Sequence, residues 1–117
     1  AKSFYDMEER GLRAYFEYLD SNPGFSRILN EAEAVAPIAH RSHFKMLTDR
    51  YLGALSHWIK KGDIRHFEPG ELETLAYMMM SARSYLYMLY NKDRSNGIDS
   101  YEKIVGTYMK TIRNGVN

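Results

Sequence analysis

A chain of 117 residues with 44% hydrophobic and 26% charged side chains suits one globular domain with its own core and leaves little length for a second. Sixteen Lys and Arg against fifteen Asp and Glu leave a net charge of +1, which argues against a nucleic-acid-binding surface spread over the domain. Cysteine is absent, so disulfide scaffolds, Cys-based zinc sites and thiolate nucleophiles are excluded, and ten Tyr, seven Met and five Phe set the character of the interior.

Five segments read as helix. In residues 3–20, Phe4, Met7, Leu12, Tyr15, Phe16 and Leu19 recur at three- and four-residue steps, with Glu8, Glu9, Arg13 and Glu17 assigned to the other side. Ser21-Asn22-Pro23-Gly24 stops this helix and starts a short second one over 23–34, with Phe25, Ile28, Leu29 and Ala32 inward. Pro37 opens the third, which continues to Lys61 and ends at Gly62; its inward stripe is Phe44, Leu47, Tyr51, Leu55 and Trp58, widened by Leu52 and Ile59. After Glu68-Pro69-Gly70-Glu71 a fourth helix runs to about Tyr90, and Asn91 to Gly97 reads as a polar turn. The fifth, capped by Asp99 or Ser100, carries Tyr101, Ile104, Val105, Tyr108 and Ile112 in register. No stretch alternates as a strand would, so the fold class is all-α. Residues 1–20 contain no signal-peptide core, and the apolar stretch 74–91 is interrupted by Ser81, Arg83 and Ser84. It reads as a buried helix in a cytoplasmic protein with no membrane partner.

The fourth helix is apolar on too many sides. Leu72, Ala76, Met79, Leu86 and Tyr90 form one stripe, and Leu75, Met78, Ala82, Tyr85 and Leu89 form a second beside it. A domain this small cannot cover both with its other four helices, so a second copy of the chain is the simplest cover. Arg83 lies on the first stripe, where a guanidinium must be paired or reach water. It reads either as a structural ion pair, for instance with Glu31 or Glu33, or as a counter-ion for an acidic ligand in an apolar cavity. No Gly-rich phosphate loop, HExxH or ExxH pair occurs, and nothing marks a serine as a nucleophile, so no catalytic residue, cofactor or enzymatic activity is expected. His40 and His43 are three apart on one helix, but no carboxylate lies a turn away from both; they read as a solvated face and not a metal site.

The junctions Asn22-Pro23-Gly24-Phe25 into Ile28-Leu29-Asn30-Glu31, Ile59-Lys60-Lys61-Gly62-Asp63-Ile64-Arg65 and Glu68-Pro69-Gly70-Glu71-Leu72, with the closing Ile112-Arg113-Asn114-Gly115, resemble the C-terminal regulatory domain of TetR-family transcriptional regulators. The resemblance covers roughly residues 11–115. It implies a single regulatory domain over 1–117 with five helices, the first four enclosing an effector pocket and the last two pairing with their copies as a four-helix dimer interface. The family's N-terminal helix-turn-helix domain does not precede these residues, so the chain is expected to be an excised domain or a stand-alone relative. On this reading DNA binding belongs to the intact regulator only, and this chain contacts no nucleic acid itself.

With the aromatic stripes and Arg83, the resemblance places a small-molecule effector among Phe16, Phe44, Leu47, Tyr51, Met79 and Arg83. That effector is apolar, and acidic if Arg83 is its counter-ion. It also places a homodimer seam on Leu75, Met78, Ala82, Tyr85 and Leu89, with Tyr101, Val105, Tyr108 and Ile112 on the last helix. The alternative is a stand-alone helical adaptor that recruits another protein through the fourth helix.

Overall fold

The computed structural model describes residues 2–22, 24, 31, 36–64 and 67–116, with side chains at 39, 40, 43, 44 and 116 outside the description. Of the second expected helix only Gly24 and Glu31 are described; Phe25, Ile28, Leu29 and Ala32 lie outside the described residues. What is described is all-helical: α1 (Phe4–Ser21), α2 (Pro37–Lys60), a 3-10 turn (Pro69–Glu71), α3 (Leu72–Ser95) and α4 (Tyr101–Val116), with no strand among the described residues.

Four helix ends have a local reason. Ser3 caps α1, its hydroxyl accepting from the Asp6 N–H at 3.0 Å, and Pro37 sits in the first turn of α2. Both α2 and α3 end in the same cap. After α2, the Gly62 N–H reaches the Ile59 carbonyl and the Asp63 N–H reaches that of Trp58, with Gly62 at φ +85°. After α3, the Gly97 and Ile98 N–H groups reach Arg94 and Asp93 in the same way, with Gly97 at φ +75°. This paired 5→2 and 6→1 pattern satisfies carbonyls that the helix end leaves open, and it needs a left-handed residue that glycine adopts without strain. The fourth expected helix therefore runs past Tyr90 to Ser95. Nothing in Asn91-Lys92-Asp93-Arg94-Ser95 breaks a helix, and the polar composition marks exposure, not a turn.

Packing pairs α2 with α3 and α1 with α4, while α3 also meets α1 and α4. The core runs through Phe4, Leu12, Phe16, Leu55, Ala76, Met79 and Val105. Asp63, just beyond the α2 cap, accepts from the Phe4 N–H at 2.9 Å and ties the start of α1 to the end of α2. The molecule measures 40 × 36 × 20 Å. Its thin dimension is about two helix diameters, so a helix covered by neighbours on one side can be open on the other.

Two residues are placed differently from expectation. Leu47 is exposed, because α2 turns Thr48, Leu55 and Trp58 toward its neighbours. Glu8, assigned to the solvent side of α1, is fully buried on the stripe Phe4, Glu8, Leu12, Phe16, Leu19.

Candidate functional site

Glu8 collects one polar side chain from each of the other three described helices. Its Oε2 accepts from Arg83 Nη2 of α3 at 3.2 Å and from the Tyr108 hydroxyl of α4 at 2.9 Å. Its Oε1 accepts from the Tyr51 hydroxyl of α2. That hydroxyl also lies 2.9 Å from Met79 Sδ, and the Arg83 guanidinium sits 5.4 Å from the centre of the Tyr51 ring. Glu8 is 0% exposed and the Arg83 side chain 18%, so each charge depends on the other for what water would have supplied.

A mid-helix glycine makes the arrangement possible. A Cβ at Gly11 would stand 2.8 Å from Arg83 Nη2 and 3.3 Å from Cζ, so the guanidinium lies against bare α1 backbone. Glycine inside a helix costs about 1 kcal/mol relative to alanine, and here the space it leaves is filled by a charged group. Burial disfavours the Arg83 charge, yet the pKa is raised, because the Glu8 carboxylate together with the Tyr51 and Tyr108 hydroxyls outweighs the desolvation. Burial, reinforced by the same carboxylate, pushes the Tyr51 and Tyr108 hydroxyls well up, so both remain donors. Arg83 Nε is buried without a hydrogen-bond partner among the described residues.

Of the residues expected to hold an effector, Tyr51, Met79 and Arg83 come together, but around Glu8. Phe16 is elsewhere in the core, ringed by Tyr15, Tyr87, Tyr90 and Tyr101 with centroid separations of 5.3–6.5 Å. Leu47 is on the surface, and the Phe44 side chain lies outside the described residues. Among the described residues the counter-ion of Arg83 is Glu8; Glu31 is exposed, and Glu33 lies outside the described residues. Two signals in α1 pointed there. One is Glu8 standing four residues from both Phe4 and Leu12, and the other is a glycine within a strong helical pattern.

The larger opening lies on the other side of α3. A groove of about 1030 Å³ runs between α3 and α4, with Leu75, Met78, Met79, Ala82, Leu86 and Leu89 on one wall and Ile104, Tyr108 and Ile112 on the other. Phe67 and Ile98 also line it, with Glu71, Asp93, Asp99 and Lys103 as charged members. Phe16, Leu47, Tyr51 and Arg83 line neither this groove nor a second, polar cleft of about 340 Å³ beside Arg13, Glu102 and Arg113.

The groove gathers part of the expected dimer seam: Leu75, Met78, Ala82 and Leu89 from α3, and Tyr108 and Ile112 from α4. Tyr85 is 70% exposed but does not line it. Tyr101 and Val105 are corrections to that seam. Tyr101 packs on Phe16 and Tyr90, and Val105 is buried in the core, because α4 turns that side toward α1. Ile104 lines the groove in their place.

Among the described residues no three His, Cys, Asp or Glu side chains are grouped to hold a metal, and no helix is long and apolar enough to cross a membrane. The His40 and His43 side chains lie outside the described residues. In comparisons with known proteins, no family model matches the chain, and no curated protein or solved structure matches it either.

Proposed function

We propose that this chain is a dimerising, effector-sensing domain of TetR-like type, acting in transcription regulation when joined to DNA-binding heads. The observation that carries the reading is the apolar groove between α3 and α4, beside which Met78 is 63% and Tyr85 70% exposed. Two copies related by a two-fold axis would set α3 and α4 against their mates as a four-helix bundle. Such an interface should remove at least about 1,000 Å² from water and have an apolar centre.

The effector in this reading is apolar. Arg83 already has Glu8 as its counter-ion, so the effector needs no acidic group. An effector can act only by differential affinity, favouring one spacing of the two copies over another. Sedimentation at micromolar concentration tests the assembly, with a dimer expected and a chain that stays at 13.7 kDa overturning it. Native mass spectrometry of freshly purified protein reports a retained small molecule in the same experiment.

A second reading draws on the methionines. Met78 and Met88 are exposed on α3, and unbranched, polarisable methionine suits partners of variable shape. In that case the groove takes a helix of another protein, and the purified chain is a monomer that gains a partner only in a mixture.

A further inference from the structure

The buried polar cluster and the apolar groove share two side chains. Met79 lies 2.9 Å from the Tyr51 hydroxyl and also lines the groove; Tyr108 donates to Glu8 and also lines it. One shared residue is on each wall. Glu8, Gly11 and Tyr51, which hold these two from behind, do not line the groove at all.

We propose that Glu8, Gly11 and Tyr51 are positioning residues for the groove, so that a displacement of α1 or α2 around the Glu8–Arg83 pair is transmitted to the α3–α4 face. The proposal rests on the reading of that face as a self-association surface. The physical basis is the rigidity of a desolvated ion pair. Glu8 cannot move away from Arg83 without leaving a charge unpaired, and Arg83 cannot move toward α1 because it already lies against the Gly11 backbone. A shift of α1 must therefore carry Arg83 and Tyr108 with it. A shift of α2 reaches Met79 through the Tyr51 hydroxyl.

Gly11→Ala and Tyr51→Phe test the coupling, since both act behind the groove. Alanine at position 11 forces the guanidinium to move while favouring the helix, which keeps the variant folded. Phenylalanine at position 51 removes both hydroxyl contacts and keeps the ring. Circular dichroism should show wild-type helical content for both. Sedimentation should show the dimer dissociation constant raised about tenfold, the size of coupling between residues sharing a network.

Methyl spectra of the same proteins should show Met78 and Ile112, one on each wall, shifted together with Met79, while the exposed Met46 on α2 stays in place. A dimeric wild type whose folded variants keep its dissociation constant overturns the coupling and leaves the proposed function standing. A monomeric wild type overturns the self-association reading. The methyl signals then decide the coupling alone, with movement of Met78 and Ile112 supporting it and movement confined to Met79 overturning it.

Discussion

Glu8 holds a charge where no water reaches it, and its three donors come from three different helices. Removing the charge on one side leaves Arg83 uncompensated, so Glu8→Gln should destabilise the fold by about 3–5 kcal/mol, read by urea unfolding. The double change Glu8→Gln with Arg83→Met should recover most of that loss, because the stranded charge is the main cost. The tyrosines around the acidic groups make a separate prediction. Burial raises the pKa of Tyr51, Tyr108, Tyr87 and Tyr90, with Glu8 adding to the first two and Asp20 to the others. In the unfolded chain these hydroxyls ionise near pH 10, while in the folded chain they keep their protons. The folded state then binds more protons, so stability is fully present below about pH 10 and falls as pH rises beyond it. Unfolding free energies on either side of that pH check this, and a flat profile contradicts it.

At the scale of elements, several helix boundaries are set by nearby residues. The Ser3 cap is one example, and Ser3→Ala should cost about 1 kcal/mol by urea unfolding, with the α1 N-terminus fraying first in hydrogen exchange. The stop at Gly62 was legible in the same way, but the stop at Gly97 was not, because Asn91 to Gly97 reads as a turn on polarity alone. Polarity reports where a helix is wet; only the backbone hydrogen bonds report where it ends. The inward side of α1 was legible except at Glu8. A carboxylate is assigned to solvent by default, and the partner that makes its burial possible stands 75 residues further along the chain.

At the scale of the molecule, the proposed self-association rests on the open groove. Ala82 lies half-buried on its α3 wall, small enough to let crossing helices approach to the usual 8–10 Å. Ala82→Glu should leave helical content intact and weaken association by about two orders of magnitude, because a charge would be stranded at the seam. Sedimentation of the variant beside the wild type measures it, and an unchanged dimer would remove the groove from the interface.

The sequence by itself determined that the described chain is helical, where most of its helices start and stop, and that α3 is apolar on more sides than the other described helices cover. These properties are local: a helix bonds residue i to i−4, and its caps lie within a few positions of its ends. The tertiary structure alone decided which carboxylate answers Arg83, that Tyr101 and Val105 face α1, and that Met79 and Tyr108 stand between a buried ion pair and an open groove. Those outcomes depend on how helices far apart in sequence rotate against each other. A periodic pattern marks a stripe, but the neighbour that packs on the stripe decides what is buried there.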